Sequence, residues 1–433
     1  MSEELAYALI TPYSLYKSRT GGIVGRLLAY THLDFVAVRM FAFSDAFIDK
    51  YSKVVCPPNC DPAIAKAWRD YLDTNFRASN RWGYVPRCLL MLFRGENAVR
   101  HLKEDVIGQF TDQPVGDTIR GTYGDFLRGQ DGTVDYFEPA VITCPDAKLN
   151  DEHLRLFAEY ADSDGGVLTG RIQYDAEPQV SLVMLKPDNF YQRSRRPGNI
   201  IDAFSLTGLR IVGAKLFNMT VAQGEEFYGP LKDIFVSRLK FLVTRTVREK
   251  LADAFDFEFT DADAEVLASH LARRNAITEF NKIVEYMTGI NPKDMTDPEE
   301  KANASRTRCL ALLYEGPQAI DRIRAVLGST DPSKAEPGTV RSDFGRDLMR
   351  NGAHASDSPA SAMRERGIVG LPDDEPKPCD VKRIIDAYLA RRGRRKEGHR
   401  SWVIGPRVQQ KKKQAALAGC RGLPVAAERP CRS

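Results

Sequence analysis

The chain has 433 residues, of which 43% are hydrophobic and 28% charged, a composition typical of globular proteins in solution. Its length exceeds one ordinary domain and allows two or three sizeable cores. The formal charge of +4 is small, and the longest apolar stretch is interrupted by Arg39, which excludes a membrane span. The N-terminus lacks a signal-peptide pattern, so we expect a cytoplasmic protein without membrane association.

The eight cysteines are scattered along the chain and do not form the spacing pattern of a disulfide framework. The close pair is Cys56 and Cys60, and no further zinc ligands lie near it at matched spacing. We therefore expect a reducing compartment and no metal bound directly by side chains.

The sequence contains an internal repeat. The first matching segments are separated by 175 to 177 residues and the later ones by 221: 8–17 with 183–192, 34–41 with 210–217, and 94–102 with 315–323. The increase in separation places an insertion of about 44 residues in the second unit. It lies between Tyr228 and Leu310.

In chain order, each repeat predicts strand, helix, strand, helix, strand, helix and a final strand. The second unit gives the clearest signals: a buried strand at 182–185, a helix at 199–204, an alternating strand at 209–217, an N-cap at Thr220, a strand at 310–316 and a helix closed by Gly328. The insertion has a helical pattern with a capping signal at Thr260 to Asp263. We interpret it as one or two helices packed on the flank of the domain.

This order of elements predicts an α+β fold with two ferredoxin-like sandwich domains and four-stranded antiparallel sheets, the second carrying the helical insertion. The predicted organisation is a first domain at 1–140, a connector with one helix at 141–178, a second domain at 179–370 with its insertion at about 233–300, and a tail at 371–433. The tail has more than twice as many basic as acidic residues, and we expect most of it to be disordered.

His354 lies in the stretch RNGAHASDSP, where small residues surround it. It is either an ordinary turn histidine or a ring that its small neighbours leave open to a bulky charged group. The second unit also supplies an anion-binding set of cations, a hydroxyl and an amide: Lys186, Arg324, Thr330, Arg341 and Asn351. With a histidine, this set suits transfer of a phosphoryl group through the imidazole.

The motifs MLKPD, EEFYGPL, VLGSTDPSKAEPGTVRSDFG and NGAHASDSPASAMRE, in this order, resemble the nucleoside diphosphate kinase family. The resemblance covers about 181–370 and is interrupted by the insertion. It departs from the family at Ala355 and Ser342, where glycine is usual.

The resemblance implies a role for each matching residue. His354 would accept the γ-phosphoryl group of a nucleoside triphosphate and pass it to a diphosphate, while Glu365 fixes its tautomer with support from Ser356. Two further sets follow from the same motifs: Lys186, Tyr228 and Asn351 at the sugar hydroxyl and phosphates, and Arg324, Thr330 and Arg341 at the terminal phosphates. Mg²⁺ would bridge those phosphates, and the chains would form homo-oligomers. The residue that stacks on the base is not placed.

Applied to the first unit, the same residue offsets predict that it has lost the residues needed for phosphoryl transfer. Lys186 falls on Thr11, and Arg324 falls on Lys103 or Glu104. The positions of Asn351, His354 and Glu365 fall on Gln130, Thr133 and Cys144, whereas Tyr51 and Arg120 survive. A threonine cannot replace the histidine. We interpret the first unit as a nonfunctional copy retained for packing, assembly or regulation.

Two alternatives stay open at this point. The protein is a nucleotide-binding regulator or scaffold with little turnover, or it transfers the phosphoryl group from His354 to a protein histidine. The basic tail is a candidate for weak binding to nucleic acid or an anionic surface.

Overall fold

A computed structural model describes residues 3–80, 83, 85–110, 116–373 and 379–401. The strands are β1 (Glu3–Ile10), β2 (Asp34–Phe41), β3 (Cys88–Glu96), β4 (Asp125–Arg128), β5 (Val134–Glu138), β6 (Val141–Ile142), β7 (Pro178–Leu185), β8 (Arg210–Phe217), β9 (Cys309–Pro317) and β10 (Ala353–Ala355). The helices are α1 (Pro12–Tyr16), α2 (Thr20–Ala29), α3 (Asp45–Tyr51), α4 (Pro62–Phe76), α5 (Ala98–His101), α6 (Ile119–Tyr123), α7 (Asn150–Glu159), α8 (Arg196–Ser205), α9 (Val221–Phe227), α10 (Leu231–Leu251), α11 (Asp261–Thr288), α12 (Pro298–Asn303), α13 (Ala319–Leu327), α14 (Val340–Phe344), α15 (Pro359–Val369) and α16 (Asp380–Ser401).

Two four-stranded antiparallel sheets have the same topology. The first has the order β2-β3-β1-β6, and the second has the order β8-β9-β7-β10. Each sheet places the first strand of its repeat at the centre, as a ferredoxin-like fold requires. The α+β class and the two sheets predicted from the sequence are confirmed. Both sheets lie in the compact unit Met1–Leu389, and Ala390–Ser433 form a second unit.

Local sequence signals explain where the main elements begin and end. Consecutive side chains of β7 at 182–185 are all buried, so both faces of that strand are covered. Thr220 forms a capping box with Gln223 at the start of α9, and Thr260 caps α11. Gly328 ends α13 at a φ of 83°, where glycine is favoured.

The residues predicted as a connector complete the first domain instead. β6 pairs with β1, matching Ile142 to Leu9, and α7 follows it. In the second domain β10 pairs with β7, matching His354 to Met184, and α15 follows. The first sheet therefore extends past the predicted boundary at 140. The strand at 141–142 is only two residues long, which gave too little pattern to identify it from sequence.

Two further expectations need correction. Asp380–Ser401 are helical, and Cys379, Val381 and Ile385 belong to the core, so the first part of the tail is ordered. Residues 402–433, the last part of the tail expected to be disordered, lie outside the described residues. Cys56 and Cys60 form a disulfide with Cα atoms 6.0 Å apart, which the sequence did not predict. Among the described helices, none is both long and apolar enough to span a bilayer.

The two domains pack through helices α2 and α8 at glycine residues. A Cβ atom added to Gly198 would lie 2.2 Å from the backbone nitrogen of Gly25 and 2.3 Å from the carbonyl oxygen of Gly21. Close approach of the helix backbones therefore depends on the missing side chain. The edge strands β2 and β8 also lie against each other, and Arg308 donates to Asp34 at 3.0 Å across this boundary.

Replacing Gly198 with alanine should weaken this contact, because backbone atoms of α2 occupy the space that the methyl group needs. We expect a loss of roughly 1–3 kcal/mol in the free energy of unfolding, as for other overpacked sites. Urea denaturation of the full chain would measure it. The control is Gly367→Ala in α15, where a Cβ meets no atom within 4 Å and alanine favours the helix by about 0.5–1 kcal/mol. Equal effects of the two substitutions would contradict the proposed role of the close contact.

Candidate functional site

A cavity of about 860 Å³ opens beside His354 in the second domain. Predicted site residues line it: Lys186, Tyr228, Arg324, Thr330, Arg341, Asn351, His354 and Glu365. They come from β7, α13, α14, β10, α15 and the end of α9, which the sheet topology brings to one edge. Gly352, at a φ of 83°, and the methyl side chains of Ala353 and Ala355 flank the histidine.

The imidazole of His354 is held by a carboxylate. Its Nε2 lies 2.9 Å from Oε2 of Glu365, and the hydroxyl of Ser356 donates to the same oxygen at 2.7 Å. The Glu365 side chain is only 6% exposed. Because an ionised carboxylate accepts hydrogen bonds, Nε2 carries the hydrogen in the neutral ring, and Nδ1 keeps its lone pair. Phe227 packs edge-on against the ring, with centroids 5.0 Å apart.

Lys186 is buried at the end of β7. Its ammonium group donates to Oδ1 of Asn351 at 2.7 Å and to the carbonyl oxygen of Met349 at 3.0 Å. Burial, followed by repulsion from Arg341, lowers the pKa of Lys186 to about 7. The amide nitrogen of Asn351 donates to the carbonyl oxygens of Thr330 and Leu348, which fixes the orientation of this amide.

Two arginines add positive charge on the side of α13 and α14. Arg341 donates to the carbonyl oxygen of Gly328 and to Oγ1 of Thr330, at 3.1 and 3.3 Å. Burial, with repulsion from Arg324, lowers the pKa of Arg341 to about 10. Arg324 itself is exposed at the cavity rim. These cations suit an anionic ligand with several charges.

Tyr228 brings a hydroxyl group into the cavity from the end of α9. This oxygen is buried and has no hydrogen-bond partner among the described residues. Burial raises the pKa of Tyr228 well above its usual value, so the hydroxyl stays protonated and can donate to a ligand. A bound polar group is the simplest way to satisfy it.

Sequence reasoning missed one wall of the cavity. The insertion lines it with apolar side chains from both of its helices: Ile234, Phe235, Leu239, Ile283 and Met287. Our interpretation of the insertion as packed on the flank is therefore incomplete, because α10 and α11 also form part of the site. Ile283 and Met287 had the right helical spacing, but spacing alone does not say which neighbour a helix face will meet.

Arg364 was also missed. Its guanidinium group donates to the carbonyl oxygen of Phe227 at 3.2 Å and lies 3.5 Å from Oε1 of Glu365. It therefore connects α15 to the end of α9, on either side of His354. Its position directly before Glu365 was the available sequence signal.

The first domain differs at the corresponding positions, and three sequence assignments are wrong. By strand register, Ile142 and not Thr133 corresponds to His354. Counting onward, His153 on α7 and not Cys144 takes the place of Glu365. The cause is the β4–β5 hairpin, which adds residues between Arg120 and β6. By the same register, Pro139 and not Gln130 is the first-domain residue that corresponds to Asn351.

Other assignments agree with the hydrogen bonds. The amide of Thr11 donates to the Ala140 carbonyl oxygen as the amide of Lys186 does to that of Gly352, both at 3.2 Å. Arg120 donates to Gly108 and Val141 as Arg341 does to Gly328 and Ala353. The sequence left open whether Lys103 or Glu104 corresponds to Arg324, and this ambiguity has a structural cause. The first domain has a π-helix at Leu102–Ile107, whose extra residue shifts the register, and Gly108 bonds to Lys103.

A buried aromatic network fills this region of the first domain. The Tyr7 hydroxyl lies 2.7 Å from that of Tyr51 and 2.8 Å from Nδ1 of His153. Burial lowers the pKa of His153 to about 4, so this ring is neutral at physiological pH. Elsewhere in the first domain, His32 and His101 pack with ring centroids 4.2 Å apart, and His101 also pairs with Asp105.

Comparison with known proteins gives one consistent result. Residues 243–369 match the family model described as nucleoside diphosphate kinase. A nucleoside diphosphate kinase of Symbiobacterium thermophilum is 29% identical over 187 residues, covering 43% of this chain and 82% of that protein. One of Methanobrevibacter smithii is 28% identical over 211 residues, covering 49% and 97%. The solved nucleoside diphosphate kinase of Aquifex aeolicus is 25% identical, with 45% and 95% covered and a TM-score of 0.28.

The family model and the relatives place the second domain among the phosphotransferases. The second domain is similar to nucleoside diphosphate kinases, as the motifs around His354 predicted.

The lowered pKa of Lys186 predicts that anion binding takes up protons. A bound polyphosphate favours the ammonium form and raises this pKa, so affinity should fall as pH rises above 7, by at most about tenfold per pH unit. Calorimetric titration of a nucleoside diphosphate at pH 8, in buffers with different ionisation heats, would measure the proton uptake. Lys186→Arg is the control, because arginine stays charged and should take up no proton. Zero uptake by the unaltered protein would refute the assignment.

Proposed function

We propose that the second domain transfers the γ-phosphate of a nucleoside triphosphate to a nucleoside diphosphate by a ping-pong mechanism through a phosphohistidine at His354. The observation that carries the proposal is the arrangement of this ring. Its Nε2 is held by Glu365, and it faces a cavity whose lining includes the cations Lys186, Arg324 and Arg341.

The chemistry of the first half-reaction follows from the neutral ring. The lone pair of Nδ1 forms a bond to the γ-phosphorus as the bond to the bridging oxygen breaks, and the nucleoside diphosphate leaves with that oxygen. The hydrogen on Nε2 stays in its bond to Glu365, which stabilises the positive charge on the ring. The second half-reaction is the reverse, with a different diphosphate as acceptor.

Charge neutralisation is the main contribution of the other side chains. Lys186, Arg324 and Arg341 would offset the charge on the phosphates, and such groups can contribute about 10³–10⁵ in rate. Asn351, Thr330 and Tyr228 would donate hydrogen bonds to phosphate or sugar oxygens.

Mg²⁺ would be held by the phosphates of the nucleotide and would neutralise part of their charge. Within the described part of the chain, no three acidic, histidine or cysteine side chains cluster as metal ligands. The cations around His354 suit phosphate oxygens better than a metal ion.

We infer that the first domain does not catalyse the reaction. The register places an isoleucine, Ile142, where His354 lies in the second domain, and an isoleucine has no nucleophile. Association of chains into homo-oligomers and weak nucleic-acid binding by the basic tail stay predictions.

His354→Ala should abolish phosphorylation and turnover. Incubation with ATP labelled at the γ-phosphate should give the unaltered protein an acid-labile label that GDP removes, and the variant none. His270→Ala is the control, because this exposed histidine lies on α11 in the same domain. Label without removal by GDP would favour transfer to a protein histidine, whereas no label on the unaltered protein would favour a scaffold. Turnover by the variant would show that the first domain works.

Glu365→Gln tests whether the carboxylate of Glu365 fixes the tautomer of the His354 ring. An amide can either donate to or accept from Nε2, so the ring is no longer held with its hydrogen on that atom. We expect the turnover number to fall roughly 10²-fold or more, since replacing the carboxylate beside a catalytic histidine by an amide can cost about 10⁴. Nitrogen chemical shifts of the His354 ring, measured by NMR, should show a mixture of tautomers. Unchanged shifts together with unchanged turnover would contradict the role of Glu365.

A further inference from the structure

Tyr286 connects the inserted helices to the phosphate side of the cavity. It lies near the end of α11, and its hydroxyl donates to Oδ1 of Asp188 at 2.5 Å. Asp188 follows Lys186 by two residues, directly after β7. One hydrogen bond therefore joins the insertion to the turn that carries the buried lysine.

The acceptor of this bond is itself held in place. The Asp188 side chain is 8% exposed, and its Oδ2 accepts from Nη2 of Arg196 at 2.7 Å. The same nitrogen of Arg196 donates to the carbonyl oxygen of Phe344, also at 2.7 Å. Arg196 begins α8 and Phe344 ends α14. These hydrogen bonds therefore fix the position of Asp188 relative to α8 and α14, while Tyr286 joins it to α11.

Tyr286 also lies between the two ends of the cavity. Its ring centroid is 5.9 Å from the ammonium nitrogen of Lys186. On the same helix, Ile283 and Met287 belong to the apolar wall. Tyr286 therefore lies between the apolar wall and the cationic groups. The separation between them depends on the position of α11 along its helix axis.

Apolar packing alone does not set this separation. Phe280, Val284 and Met287 anchor α11 in the core, but apolar contacts are non-directional and allow small shifts. A hydrogen bond to an ionised carboxylate is short and directional, so it fixes one position.

We propose that Tyr286 is a positioning residue for the nucleoside end of the substrate. Through its bond to Asp188, it holds the apolar wall of the insertion at the distance that lets base and phosphates bind at once. This inference rests on the proposed function, because it assumes that the ligand is a nucleotide.

Tyr286→Phe removes the hydroxyl and leaves the ring. Calorimetric titrations with ADP and with inorganic pyrophosphate, both with Mg²⁺, separate the two ends of the cavity, because pyrophosphate has no base or sugar. We expect the Kd for ADP to rise roughly 3- to 10-fold, the size of one lost hydrogen bond, and the Kd for pyrophosphate to stay within about twofold. The matched control is Tyr191→Phe, an exposed tyrosine in the turn after Asp188.

A double-mutant cycle that combines Tyr286→Phe with Asp188→Asn distinguishes the loss of this hydrogen bond from a general loosening of the domain. If the two side chains act through one bond, their effects on ADP binding are less than additive. Additive effects would overturn the proposal, as would equal weakening of both ligands or no change in either. Should the phenylalanine variant fail to fold, Asp188→Asn alone is subjected to the same comparison of ligands.

The unaltered protein separates this inference from the proposed function. Selective weakening of ADP in the variant, with no label on His354 in the unaltered protein, would reject the kinase activity and keep the role of Tyr286. Absence of ADP binding to the unaltered protein would reject both.

Discussion

The candidate site depends on an ammonium group that the fold buries without a carboxylate bonded to it. Lys186 donates to a main-chain carbonyl oxygen and to the amide oxygen of Asn351, both neutral, while Arg341 adds repulsion. Burying a charge in this way costs free energy, and the lowered pKa of Lys186 expresses that cost. The unfolded chain therefore binds more protons between about pH 7 and the ordinary lysine value of 10.5, and stability rises with pH across that window.

An incoming polyphosphate would supply the missing negative charge. A cation that already lacks a partner gains more from an anion than an exposed, paired lysine does, because no existing ion pair has to be broken. Other polar groups of the site are also buried at a cost in free energy. The hydroxyl of Tyr228 is buried and finds no hydrogen-bond partner in the part of the chain that the structure describes, and Arg341 is partly desolvated. These groups are held in position before any ligand arrives, at the expense of stability.

The sequence was sufficient for the fold and for most of the candidate site, and the reasons can be stated residue by residue. The repeat gave the order of strands, and the motifs gave the residues that line the cavity. Ungapped offsets failed where the first domain has extra residues, in the β4–β5 hairpin and the π-helix at Leu102–Ile107. Those additions moved the counterpart of His354 from Thr133 to Ile142. The apolar wall could not be predicted, because the side on which α10 and α11 pack is decided by tertiary contacts.

The first domain keeps the fold while its interior has changed, which indicates what the second domain gains from it. In place of charged groups around a cavity, Tyr7, Tyr51 and His153 satisfy one another in a closed network. Such a network of neutral side chains stabilises the domain. Its edge strand β2 lies against β8, and its helix α2 meets α8 at glycines. An exposed edge strand is an aggregation hazard, so a domain that covers β8 is useful whether or not it binds nucleotides. Covalent linkage also keeps the two surfaces together at any protein concentration, whereas separate chains would have to associate.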